Sequence, residues 1–241
     1  MSNLIKRYQQ NTVGKDWVVG DIHGHFTRLL SALGAIDFDP TKDRLFSTGD
    51  LVDRGPESHL AMEWIDKPWF FPVRGNHEDF AIRWAQPDNN ISTSNYAYNG
   101  GQWNIDNNQS ERIAVANKLS TLPVAIELET ANGLIGIIHA EPTDDWNKLR
   151  DMLQHADEVD GGLDELLKFV MWDRSRIQSN DDCGVVGVAA AVVGHTPIIQ
   201  TITLGNVHYI DTGGWHPKGA GFSFFDTTSM WINTVSNPDE Y

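Results

Sequence analysis

Trp17-Val18-Val19-Gly20-Asp21-Ile22-His23-Gly24 couples a short apolar run to a glycine-flanked Asp and His. The valines favour extended backbone. The glycines permit tight backbone geometry close to a ligand. Asp21 and His23, two apart on an extended loop, can point to one side. Ligands of open α/β sheets lie beyond the carboxyl ends of strands, where this pair falls. A carboxylate beside an imidazole suits manganese, iron or zinc. Alone, the pair also fits a polar loop with no metal.

The same arrangement recurs four times. Leu45–Ser47 runs into Gly49-Asp50-Leu51-Val52-Asp53-Arg54-Gly55-Pro56, which offers two carboxylates and a planar guanidinium suited to phosphate oxygens. Trp69–Val73 runs into Arg74-Gly75-Asn76-His77-Glu78. There Asn76 offers a neutral oxygen or a helix cap, and His77 an acid whose ordinary pKa lies near neutrality. Leu134–Ile138 ends in His139, and Ala190–Val193 ends in Gly194-His195-Thr196. Each segment has a bland explanation: an acidic turn with an ion pair, a helix start, a structural histidine. All five would have to hold at once. Converging on one edge, the segments supply Asp21, His23, Asp50, Asn76, His139 and His195, enough donors for two ions sharing a carboxylate.

Further strand-like runs are Ala125–Leu128, Val207–Ile210 and Gly221–Phe225. Apolar residues at spacings of three and four predict helices over Phe26–Leu33, His59–Ile65 and Ser110–Leu119, with Gly34 and Pro123 as stops. Alternating strands and helices predict an α/β layered fold. Residues 84–109 are rich in Asn, Gln, Ser and Gly and read as a surface excursion or cap, extending to about residue 120. Gly161–Gly162 and Gln178–Cys183 read as loops, and Ser236–Tyr241 as a frayed tail.

The chain has 241 residues, which at roughly 150 per domain admits one large α/β domain or two small ones. Its net charge of −15 argues against nucleic acid and anionic membrane surfaces as partners. Anionic substrates stay possible where metal ions and a few arginines invert the local field. A lone cysteine, Cys183, excludes an internal disulfide and a thiolate metal cage. No arginine follows it closely, so a thiolate phosphatase is excluded as well. The polar N-terminus carries no signal-like apolar stretch, and the longest apolar run, Gly184 to Gly194, is short of the ~20 residues that span a bilayer. The expected setting is cytoplasmic. His25, His59, His155, His208 and His216 read as structural or surface residues.

Gly-Asp-x-His-Gly, Gly-Asp-x-Val-Asp-Arg-Gly, Gly-Asn-His-Glu and two separated histidines, in this order, resemble the PPP family of metallophosphatases. The likeness runs from about Trp17 to Gly214 and is greatest to the small phage and bacterial members of the bacteriophage lambda type. It implies a calcineurin-like sandwich of two mixed sheets flanked by helices in a single metallophosphoesterase domain. It also implies hydrolysis of phospho-Ser, phospho-Thr or phospho-Tyr in proteins by water activated between two divalent ions, manganese first, with iron or zinc admitted. Asp21 and His23 would bind the first ion, Asp50 would bridge, and Asn76, His139 and His195 would complete the second. His77 would be the acid, oriented by Asp53. Arg54, Arg74 and Arg174, the last within Met171-Trp172-Asp173-Arg174, would hold phosphate. The rival reading is a symmetric dinucleoside polyphosphate hydrolase, which typically lacks the second Asp and has Gly-Asn-His-Asp; Asp53 and Glu78 favour the phosphatase. A non-catalytic module on the same fold would have lost ligands that are all present.

Overall fold

Strands with no polar face imply sheets covered on both sides, and two such sheets form in the computed structural model. It describes residues 4–87, 91–155 and 162–237. The strands are β1 (Ile5–Tyr8), β2 (Asp16–Val19), β3 (Arg44–Ser47), β4 (Phe70–Pro72), β5 (Ala125–Thr130), β6 (Gly133–Ile138), β7 (Ala190–Val193), β8 (Ile202–Leu204), β9 (Val207–Tyr209), β10 (Gly221–Asp226) and β11 (Trp231–Ser236). The first sheet runs β11-β10-β2-β3-β4 and the second β1-β5-β6-β7-β9-β8. The helices are α1 (Phe26–Ala35), α2 (Ala61–Trp64), α3 (Asn76–Trp84), α4 (Thr93–Tyr98), α5 (Gln102–Ile105), α6 (Gln109–Leu119), α7 (Trp146–Gln154), α8 (Gly162–Trp172) and α9 (Ser175–Ser179).

The two-residue period of a strand sorts its side chains into layers. Val18 and Phe46 turn inward onto Ile126, Ile137 and Val192 of the other sheet. Their neighbours Trp17, Val19 and Leu45 turn outward onto Phe26 and Leu29 of α1. On the far side, Ala191 and Val193 turn out toward Trp146 and Leu149 of α7 and Val170 of α8. The result is helix, sheet, sheet, helix, as the α/β expectation required.

β2, β3 and β4 are mutually parallel, and so are β6, β7 and β9. Three strands of each sheet therefore end on one edge of the sandwich. The residues just past those ends are Asp21, Asp50, the Arg74–Asn76 turn, His139, His195 and Asp211.

Several expectations need correction. α1 runs through Gly34 to Ala35, since that glycine does not take the left-handed backbone of a helix stop. The helix expected over His59–Ile65 is a 3-10 turn, Ser58–Leu60, leading into the short α2. The excursion after Trp84 carries α4 and α5, with Tyr96 and Asn104 fully buried, so it is more than surface loop. Gln178 and Ser179 belong to α9, Gly162 opens α8, and Ser236 closes β11. Cys183 is exposed. Gly161, residues 88–90 of the excursion and residues 238–241 of the tail lie outside the described residues. No helix among the described residues is long and apolar enough to cross a membrane.

Candidate metal centre

The loops past β2 and β3 take an uncommon backbone form. His23, Asp50, Asp53 and Arg54 have φ of 44°, 49°, 68° and 66°, and His195 past β7 has 65°. Left-handed backbone at non-glycine residues costs energy and persists only where surroundings over-determine it. At Asp50 the fully buried Glu78 supplies that constraint. Its carboxylate accepts backbone N–H bonds from Asp50 at 2.9 Å, Leu51 at 2.8 Å, and Gly75 at 2.8 Å. Burial, and then the charge of Asp50, push its pKa up to about 7. Gly75 is required for space: a Cβ there would lie 2.2 Å from Asp50 Oδ1 and 2.9 Å from His139 Cε1.

Asp50 lies at the centre. Its Oδ2 is 3.5 Å from His23 Nε2 and 3.8 Å from His77 Nε2, while its Oδ1 is 3.4 Å from His139 Nε2. Two clusters share it, His23–Asp50–His77 and Asp50–His139–His195, each with candidate ligand atoms within 4.8 Å of one another. Asp21 borders the first, with Oδ2 3.9 Å from His23 Nε2. Its carboxylate accepts the His195 backbone N–H, 3.1 Å from each oxygen. Asn76 opens α3 without capping it; its Oδ1 lies 2.8 Å from His139 Nε2.

The histidine tautomers show what this edge lacks. Carbonyl oxygens only accept, so His23 Nδ1 donates to Val52 O at 2.9 Å and His139 Nδ1 to Thr48 O at 2.7 Å. Burial holds both rings below the ordinary histidine pKa, so each is neutral with a bare Nε2 near pH 7. His195 donates Nε2–H to Trp172 O at 3.2 Å, and burial lowers its pKa to about 3, leaving Nδ1 bare. The bare Nε2 of His139 then faces Asp50 Oδ1 and Asn76 Oδ1, lone pair to lone pair, and that of His23 faces Asp50 Oδ2 while accepting from Arg54 Nη1 at 2.9 Å. Asp211 Oδ2 is buried at the same edge with no hydrogen-bond partner. Divalent cations resolve all of these contacts, and the donor set of carboxylate, imidazole and one amide oxygen fits manganese, iron or zinc.

His77 differs from the other three rings. Its Nδ1 donates to Asp53 Oδ2 at 2.8 Å. Burial alone would depress its pKa, but Asp50 and the hydrogen-bonded Asp53 outweigh burial and hold it above the ordinary value. The excursion supports this pair. Trp103 Nε1 donates to Asp53 Oδ1 at 2.7 Å, and the Gly100 carbonyl accepts the Arg54 N–H at 3.2 Å. A Cβ on Gly100 would meet Arg54 N at 2.3 Å, and its φ is +91°.

The three arginines separate. Arg54 is exposed, places Nη1 2.9 Å from His23 Nε2 and Nη2 3.1 Å from His77 Nε2, and rests 4.5 Å above the Trp215 ring. Arg174 donates to Thr196 Oγ1 at 3.2 Å, on the rim beside His195. Arg74, expected at the phosphate, is turned away: its buried guanidinium donates to the carbonyls of Ser120 at 3.0 Å and Leu122 at 3.3 Å. Motif position brought it close, but the side chain follows α6.

Sequence reasoning gave no role to Glu78, Trp103, Asp211 or Trp215. Glu78 sits in a recognised motif, the one available signal. Trp103 and Trp215 lie in Gly- and Asn-rich stretches that resemble ordinary loops.

A model of the calcineurin-like phosphoesterases matches residues 15–211. The chain is 35% identical over 206 residues to serine/threonine-protein phosphatase 1 of Salmonella typhimurium (strain LT2), covering 82% of this chain and 85% of that relative. A symmetrical bis(5'-nucleosyl)-tetraphosphatase of Methylobacillus flagellatus is 40% identical, but over 72 residues, 29% of this chain and 26% of that one. The cold-active protein-tyrosine phosphatase of a psychrophilic Shewanella species superposes with a TM-score of 0.60 at 15% identity, covering 97% of this chain and 82% of that one, a likeness of fold. With the match spanning most of the sandwich and its donor-lined edge, the chain belongs to the calcineurin-like phosphoesterases, a family whose chemistry uses divalent metal ions.

Proposed function

We propose that this protein hydrolyses phosphomonoesters on phosphorylated Ser, Thr or Tyr side chains of proteins, with two divalent ions, manganese first. The observation that carries this reading is the pairing of His77 with Asp53 beside two donor clusters that share Asp50. Asp21, His23 and Asp50 would hold one ion; Asp50, Asn76, His139 and His195 would hold the other. When bound, the ions acidify a water and neutralise phosphoryl charge. Arg54 and Arg174 grip the phosphoryl oxygens from two sides, Arg54 by leaving its contacts with the imidazoles. His77 then gives its proton to the leaving oxygen, and Asp53 keeps the ring in register while it does so.

The likeness to a serine/threonine phosphatase runs along most of the chain, whereas that to a dinucleoside tetraphosphatase is partial. Beside Trp215 lies a groove of about 450 Å³ lined by Pro197, Ile198 and Ile199, with room for residues flanking a phosphorylated side chain. A reducing cytoplasm suits the one exposed thiol, Cys183. The test is a panel of phosphopeptides and diadenosine tetraphosphate, run on metal-stripped protein with Mn²⁺, Fe²⁺ or Zn²⁺ restored in turn. Phosphopeptides should be turned over at least tenfold faster than the dinucleotide. The reverse order would move the protein to the nucleotide hydrolases.

Trp103 acts on this chemistry through Asp53. Replacing a charge-assisted hydrogen bond worth ~1.5 kcal/mol, Trp103→Phe should slow phosphoserine peptide about tenfold. Hydrolysis of 2,4-dinitrophenyl phosphate, whose leaving group needs no proton, should be nearly unchanged. Equal losses on both substrates would make Trp103 a packing residue only.

A further inference from the structure

Five of the six converging strand ends carry residues already placed in the reading above; the sixth, past β9, carries Asp211. Its backbone packs against the residue before Asp21: a Cβ on Gly20 would lie 3.1 Å from Asp211 Cα. Its Oδ1 accepts the Gly213 N–H and the Trp215 Nε1–H, each at 3.1 Å. Its Oδ2 is enclosed and has no partner, in a residue only 1% exposed. A buried carboxylate oxygen left without a donor is costly. Burial, and then the charge of Asp211, raise the Asp21 pKa.

The ions are also unequally served. The second has Asp50, Asn76, His139 and His195; the first has only Asp21, His23 and Asp50. We propose that Asp211 is a further anionic donor to the first ion, its Oδ2 engaging that ion's coordination sphere while its Oδ1 anchors Trp215. This inference rests on the two-ion reading. Its consequence reaches the substrate side, because the Trp215 ring meets His23 edge-on at 4.8 Å and carries the Arg54 guanidinium.

The experiment titrates Mn²⁺ into metal-stripped wild type, Asp211→Asn and Asp50→Asn by calorimetry, and records melting of each protein with and without Mn²⁺. Asparagine keeps an acceptor for Gly213 and Trp215 and removes the unpaired charge. Asp211→Asn should weaken one of the two Mn²⁺ sites by about 10–100-fold and leave the other unchanged. Without metal it should melt at or above the wild-type temperature, and it should gain less on adding Mn²⁺. Unchanged affinities in Asp211→Asn, with Asp50→Asn losing metal, would overturn the proposal and leave the two-ion reading intact. A metal-free melting temperature that falls together with affinity would assign the loss to the Trp215 loop and overturn it as well. Two wild-type sites in Asp50→Asn would overturn the shared role of Asp50, and fewer than two Mn²⁺ bound by the wild type would overturn the two-ion reading itself.

Discussion

His77→Asn should keep both ions yet lose about 10²–10⁴ of its turnover on a phosphoserine peptide. The ring contributes nothing to the second donor cluster, and in the first its Nε2 lies 3.8 Å from Asp50 Oδ2, farther than that of His23 at 3.5 Å. Its Nδ1 is taken by Asp53, so Nε2 is the atom that can release a proton. Asp50 and Asp53 hold its pKa above the ordinary value against burial, which favours the protonated ring. An acid works while protonated. Wild-type turnover should therefore decline on the alkaline side as His77 loses its proton, and that limb should vanish in the variant. The loss should shrink with leaving-group pKa and nearly disappear for 2,4-dinitrophenyl phosphate. Metal analysis alongside rates over a leaving-group series checks each part. A variant that turns over alkyl phosphates at the normal rate would remove His77 from the chemistry.

Asp50→Asn should have the larger effect of all on metal. One carboxylate serves both clusters, an oxygen toward each. The amide replaces an anionic oxygen with an N–H donor that faces bare imidazole nitrogens and can satisfy one without any cation. Asp50 stays ionised despite burial, with a pKa below the carboxylate range, and accepts the His77 backbone N–H at 3.0 Å. The variant should lose at least one ion and, if ions supply several kcal/mol of transition-state stabilisation, about a thousandfold or more in turnover. Mass-spectrometric metal counting and phosphopeptide rates measure both. Two retained ions would mean that Asp50 does not bridge.

What the sequence discloses follows from what each feature depends on. β2, β3, β6 and β7 are readable because buried strands must be apolar throughout and the polar residues past their ends break that run sharply. β1 is not, because as an edge strand it keeps Lys6 and Arg7 partly to fully exposed and resembles a polar tail. β11, an edge strand of the other sheet, hides for the same reason. The donor residues are legible by type and place, but the direction of a side chain is not: Arg74 stands in the motif and points to α6. Trp103 reaches Asp53 across 50 positions, and no local pattern marks such a contact. Asp211 begins Asp-Thr-Gly-Gly, which reads as a turn; only its enclosed oxygen marks it out.

The edge where six parallel strands end draws on both sheets and on nearly the whole chain. His195 and Asp21, which touch there, are 174 positions apart. A nascent chain released only through α3 would display Asp21, His23, Asp50 and Asn76 without His139, His195 or Asp211. Ions that bind the finished edge and not its fragments add their binding free energy to the complete fold alone. Metal supply would then act as a proofreader of synthesis, favouring chains whose last parallel strand has docked over those that stall before it.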